Sequence, residues 1–359
     1  MSKMRKLVVA LLALVLVFSI VACGNDTPEP VAEVEDVVED VVEDVVEDVV
    51  EEVEEDEPEP VEETGDILHV GVVLQALSSD YWRLVRAGAL AMGEELGVHV
   101  TVIAPHANYD ITGQIAMVED MIAGGMDAIV LSRNDADALV PVCLQAREAG
   151  LPVITVDGDI NDPDARDVFV GTENYDAAQL AGHLMLESIP EGSDIAIIRG
   201  LPGALTHDNR QDGFEGIVVA GGLNVVSVQP ANSDRALGVT AAENILQANP
   251  NIRGIFATND EMALGALEAV RAMGLMDEII IIGFDGSPDA IDSILAGELY
   301  ASVAQMPVDM GAEAVRVAVE LLLGQSVPAR LPIDAFMLTQ ENAEDYLEDL
   351  QRILEEFAM

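Results

Sequence analysis

Tyr81, Trp82, Asp157, Arg210, Asn259, Asp285 and Gln305 follow apolar runs of strand length, in the stretches "LSSDYW", "DGD", "THDNRQDGF", "TNDE", "GFDG" and "QMP". Carboxylates accept hydrogen bonds, a guanidinium donates in a planar fork, and Asn and Gln do both. A hydroxyl also donates and accepts, so this mixture suits a neutral, hydroxyl-rich molecule. The aromatic pair can cover the C–H face of a small ring. Ser79 and Ser132, in "LSSDYW" and "SRND", stand at the same kind of position and join the set. Helix caps alone would account for Asp and Asn at some strand ends. Asp285 could order the turn before Ser287-Pro288, and Asp260 can cap the helix beside Asn259. Capping does not call for Tyr81-Trp82, Arg210 or Gln305.

Other chemistries find less support. No Ser–His–Asp order and no paired-His metal spacing stands out. "GLPGA" is glycine-rich but lacks the Lys of a phosphate loop and the spacing of a dinucleotide fingerprint. His207 precedes Asp208, an adjacency too common to define a catalytic pair. Cys143, in "ALVPVCLQAREAG", sits among apolar neighbours on a helical pattern, as a buried inert thiol does. No cofactor and no metal is expected.

The elements that must position these residues alternate. "ILHVGVVL", "VHVTVIA", "DAIVLS", "LPVITV", "DIAIIRG", "LNVVSVQ", "RGIFAT" and "EIIIIGF" read as strands, several nearly continuous in Val and Ile. Amphipathic stretches such as "DYWRLVRAGALAMGEELG" and "NYDAAQLAGHLMLESI" lie between them. Strand–helix alternation implies an α/β fold with parallel sheets. A break near "DVFVGTENY" divides the pattern. The prediction is two similar doubly wound parallel-sheet lobes joined by a hinge around Gly171-Thr172, with a ligand cleft between them. In such sheets ligands bind beyond the carboxyl ends of the strands.

Ahead of this domain lie two segments of different composition. Lys3, Arg5 and Lys6 precede an apolar run from Leu7 to Phe18, too short for a confident span. Small residues then lead to Cys23, an arrangement that resembles the lipobox of bacterial lipoproteins. Residues 1–23 are therefore expected to be a lipoprotein signal peptide, with lipid on Cys23. Residues 24–66 hold 21 Asp or Glu and no Lys or Arg, around the repeat VVED, VVED, VVED, VVEE. A four-residue period drifts around a helix, and like charges crowd at i, i+4. An extended acidic tether is expected. Residues 67–359 carry 45 Asp or Glu against 13 Arg, a net charge of −32. So acidic a domain argues against nucleic acid as a partner.

"FATNDEMALGALEAV", "GFDGSPDAI", "VAQMP", "PVITVD" and "VQPANSDR" together resemble the periplasmic sugar-binding proteins of ABC importers, closest to the ribose-binding branch. The resemblance implies that Tyr81 and Trp82 sandwich a sugar. It implies that Asp157, Arg210, Asn259, Asp285 and Gln305 bond its hydroxyls. It also implies three hinge crossings, with one lobe of residues 67–171 plus 306–333 and another of 172–305 plus 334–340. A terminal helix, 341–359, would pack against a lobe. The implied function is a lipid-anchored solute-binding protein, no enzyme, that hands a sugar or related polyol to an ABC permease in the membrane. Rivals are a receptor subunit that passes sugar occupancy to a chemoreceptor or kinase, and a sugar hydrolase or isomerase using Asp157 and Asp285 as an acid–base pair. A sugar-responsive repressor shares the architecture, but the export signal and lack of a helix-turn-helix segment argue against it. Departures from the ribose branch bear on the ligand. Gly158 stands where that branch has Arg, Ser233 where it has Phe, and Ser79 and Ser132 where it has Asn. A larger or differently hydroxylated ligand than ribose is the expectation.

Overall fold

The computed structural model describes residues 67–106 and 110–357. The leader with Cys23 and the acidic segment 24–66 lie outside the described residues. No described helix is long and apolar enough to cross a membrane.

The chain alternates strand and helix from β1 (His69–Val73) and α1 (Asp80–Leu96) onward. Next come β2 (His99–Ile103), α2 (Ile111–Ala123), β3 (Ala128–Leu131), α3 (Val140–Glu148), β4 (Val153–Val156) and β5 (Val168–Thr172). A second series follows: α4 (Asn174–Ser188), β6 (Asp194–Arg199), α5 (Leu205–Ala220), β7 (Asn224–Pro230), α6 (Arg235–Ala248), β8 (Gly254–Ala257), α7 (Asp260–Ala272), β9 (Ile280–Asp285), α8 (Pro288–Leu295) and β10 (Ala301–Ala304). Then α9 (Pro307–Leu322), β11 (Arg330–Ile333), β12 (Phe336–Leu338) and α10 (Ala343–Glu356) complete it.

These strands form two six-stranded sheets, ordered β11-β5-β4-β3-β1-β2 and β12-β10-β9-β8-β6-β7. Every pairing in the first is parallel, and in the second only β12 runs antiparallel, against β10. The two-lobed, doubly wound α/β architecture is the one the alternation predicts. In each sheet the first strand lies between the second and third, so the order reverses there and leaves a crevice at the carboxyl ends.

Helices cover both faces of both sheets, which is why the strands read as near-continuous apolar runs. In the first sheet Val70 and Val72 pack with α1 and α9, while Ile129 and Leu131 pack with α2 and α3. In the second, Ile198 and Ile255 face α6 and α7, and Ile197 and Phe256 face α4 and α5. The chain passes between the sheets after β5, between β10 and α9, and between β11 and β12. Along α10, Tyr346, Leu347, Leu350, Ile353 and Leu354 pack onto the core of the second lobe. The Arg86 guanidinium of α1 donates to the Phe357 carbonyl at 2.8 Å, tying the end of α10 to the first lobe. Cys143 is buried, and burial pushes its thiol up to about 12.

Candidate functional site

Two aspartates end equivalent strands. Asp157 follows β4 with φ 65°, and Asp285 ends β9 with φ 125°. Both values are uncommon for a residue with a side chain, and strain of this kind persists where surrounding contacts hold it. Asp157 Oδ1 accepts the Tyr81 hydroxyl at 2.6 Å. Asp285 Oδ1 accepts from Arg210 at 3.0 Å and from Gln305 Nε2 at 2.9 Å. Burial raises both carboxyls; the Tyr81 hydrogen bond and Arg210 oppose the rise at Asp157, and Arg210 and Gln305 oppose it at Asp285. Asp157 adds to the rise at Asp285, so the two walls meet within electrostatic reach. Tyr81 is raised as well, by burial first and then by Asp157.

Arg210, 5% exposed, is the hub of the second wall. Its Nε donates to Asn174 Oδ1 at 2.7 Å, and a terminal nitrogen donates to the Thr258 carbonyl at 2.9 Å as well as to Asp285. The guanidinium lies 3.7 Å over the centroid of the Phe284 ring, a cation–π contact. Asn259, next to Thr258, caps α7 itself: its side chain accepts from the Met262 amide at 3.1 Å. Asp260, which the sequence offered as the cap, lies inside the first turn and turns away to Ser287 and Ser302. The Asn259 amide nitrogen keeps its hydrogens free of any acceptor among the described residues.

Tyr81, Asp157, Arg210, Asp285 and Gln305 thus converge at the carboxyl edges, with Asn259 adjoining. Ser79 precedes α1, is exposed, and lines a cavity of about 320 Å³ with Tyr81, Leu84, Asp285, Ser287 and Tyr346. Trp82 does not line that cavity. It packs in the core of the first lobe, its ring edge-on to Tyr81 with centroids 5.0 Å apart. Ser132 is fully buried and holds Gln75 Nε2 at 3.3 Å on its hydroxyl and Gln114 Nε2 at 2.7 Å on its carbonyl.

Sequence reasoning missed three participants. Asn174 orients Arg210 from the start of α4. His207 bridges Thr258 Oγ1 and Ser233 Oγ, each at 2.9 Å, and burial pushes its pKa down to about 3. A neutral ring at neutral pH fits this bridging role. Arg133, just past β3, donates from Nε to the Asp159 carbonyl at 2.6 Å beside Asp157. The signals were indirect: Asn174 opens a helix, and Ser233 stands where the ribose-binding branch has Phe. No group of three or more metal-ligating side chains occurs among the described residues.

Residues 70–326 match the model of the family described as "periplasmic binding protein domain". The chain is 33% identical over 272 residues to a ribose import binding protein of Bacillus subtilis, covering 76% of this chain and 87% of that one. It resembles the structure of an ABC transporter periplasmic solute-binding protein from Actinobacillus succinogenes with bound D-allose: 28% identity, TM-score 0.72, 78% of this chain and 100% of that one. A solute-binding protein from Bacillus halodurans with bound myo-inositol is 31% identical, with TM-score 0.69 over 79% of this chain and 99% of that one. The chain belongs to the periplasmic binding protein family.

Proposed function

We propose that this protein captures a sugar or related polyol outside the cytoplasmic membrane and delivers it to an ABC import permease. The observation that carries the reading is the set of hydrogen-bonded polar groups at the carboxyl edges of both sheets, half-buried Tyr81–Asp157 on one and Asp285 held by buried Arg210 and Gln305 on the other. Acceptors and donors alternate there, as a polyhydroxylated ring requires. Tyr81 would cover a ring face, with Trp82 backing it. Asn259 would offer its free amide hydrogens. Ser79 would serve at the rim, and Ser132 would support the first wall. The ligands named for the relatives, ribose, allose and inositol, share this chemistry. Closure of the two lobes around the ligand would create the shape a permease recognises. Lipid on Cys23 would hold the protein at the membrane, with residues 24–66 as spacer. Binding and closure need no catalysis, so the protein would not be an enzyme.

Thermal shift against pentoses, hexoses and polyols tests the reading. The matching compound at 100 times its dissociation constant should add about 2.7 kcal/mol of stability. Asp285→Ala should weaken that response at least tenfold in concentration. A flat response to every compound would overturn the reading.

A further inference from the structure

Arginine is the only cationic residue that the described domain can set against its many carboxylates, apart from histidine. Among the described residues every arginine but Arg86 and Arg133 pairs with a carboxylate. Arg86 spends a terminal nitrogen on the Phe357 carbonyl. Arg133 is bonded through Nε alone, to the Asp159 carbonyl, and its two terminal nitrogens have no acceptor among the described residues. The residue is half-buried, and those terminal nitrogens reach solvent, where a ligand could meet them.

Its position narrows the reason. A Cβ on Gly158 would lie 3.1 Å from Arg133 Cζ and 3.4 Å from a terminal nitrogen, closer than side chains normally pack. The backbone at Gly158 is not left-handed, so the glycine is required for space and not for its φ. That space holds the guanidinium. The residue before Gly158 is Asp157, which gives Oδ1 to Tyr81 and has no protein donor on Oδ2 among the described residues. The guanidinium also opposes the rise that burial imposes on Asp157. Arg133 and Asp157 are within electrostatic reach but form no ion pair with each other, so a carboxylate oxygen and guanidinium hydrogens both stay open to a ligand as an acceptor–donor pair. Two neighbouring hydroxyls of a polyol match it, one donating to Asp157 and the other accepting from Arg133.

We propose that Arg133 is a specificity-determining residue of the cleft, reaching across Gly158 from the end of β3 to contact a vicinal hydroxyl pair together with Asp157. The inference rests on the reading of the cleft as a polyol site. The alternative is that Arg133 only ties down the Asp159 loop.

Calorimetric titration of the full chain with D-ribose, D-allose, D-galactose, D-fucose and myo-inositol separates these. The Arg133→Gln variant should bind the preferred compound at least tenfold more weakly and change the ranking of the five. Its melting temperature without ligand should stay close to that of the parent. Gly158→Ala, which keeps Arg133 but crowds its guanidinium, should weaken binding more than twofold. If the parent binds a compound and both variants bind it within twofold with the ranking unchanged, the assignment to Arg133 falls while the polyol cleft stands. If Arg133→Gln does not fold, Gly158→Ala decides by the same twofold line. If the parent binds none of the five, the cleft reading falls and takes the assignment with it.

Discussion

Asp260 lies one residue into α7 and is 1% exposed. Its carboxylate accepts the Ser287 amide and the Ser302 hydroxyl, each at 2.7 Å. Burial raises it from 3.8 to about 7, with Asp285 adding to the rise and the two hydrogen bonds opposing it. Between those limits the native state binds more protons than the unfolded chain. The contribution of Asp260 to stability therefore falls as pH rises from about 4 to about 7. Asp260→Asn keeps an acceptor for Ser287 and removes the titration, so urea unfolding of the variant should show a flatter decline over that interval. An unchanged slope would mean that Asp260 stays ionised in the folded protein. The neighbouring Asn259 shows what single letters convey at this scale. The sequence posed cap or ligand contact as alternatives; in the structure the amide oxygen caps α7 through Met262, and the nitrogen has no acceptor among the described residues. Asp157, Asp285 and Gln305 were legible because they sit at strand ends, and Arg210, inside α5, because helix capping does not call for it. Arg133, although it too stands just past a strand, and Asn174 were not, because their contacts depend on where a long or distant side chain finishes.

Helices are joined by glycines placed for close approach. On α1, a Cβ at Gly88 would come within 1.9 Å of the Val308 carbonyl; on α9, a Cβ at Gly311 would come within 1.9 Å of the Val85 carbonyl. The two helices thus cross with reciprocal backbone contact over more than two hundred residues of sequence. Gly213 of α5 stands in the same way against the Tyr175 carbonyl of α4, at 2.1 Å, in the other lobe. Because the obstacle is backbone, it cannot swing aside as a side chain would. Gly311→Ala should cost about 1–3 kcal/mol in urea unfolding, as overpacking does. Gly216→Ala, on exposed α5 surface with nothing nearer than 3.6 Å, should be neutral or stabilising by up to about 1 kcal/mol. Equal behaviour of the two variants would remove the packing argument. Amphipathic spacing announced these helices and their apolar faces. It could not announce that α9 returns to α1, since periodicity records which face is buried and not against what.

At the scale of the molecule, alternation of strand and helix was enough to predict two parallel α/β lobes, because doubly covered sheets leave a strong apolar signature. The pairing of β11 with one sheet and β12 with the other was not visible in such patterns. Both are short and half-buried, so they lack that signature. Charge, by contrast, is legible at once and acts on the whole. Residues 67–359 carry a net charge of −32, and compaction brings those carboxylates closer than they are in an expanded chain. Ion pairs act in the opposite sense, but most are partly exposed at the surface, where each contributes about 0–1 kcal/mol. Repulsion is therefore expected to dominate. Raising NaCl from 10 to 150 mM shortens the screening length from about 30 Å to about 8 Å, which removes most long-range repulsion while sparing contacts at bonding distance. The melting temperature should rise over that interval and level off beyond it, since further salt has little left to screen. Sodium sulfate at matched ionic strength should reproduce the early rise, then continue upward as the ion is excluded from the surface. A melting temperature that falls between 10 and 150 mM NaCl would show that the ion pairs outweigh the repulsion, and that the arginines balance this acidic surface more fully than its net charge implies.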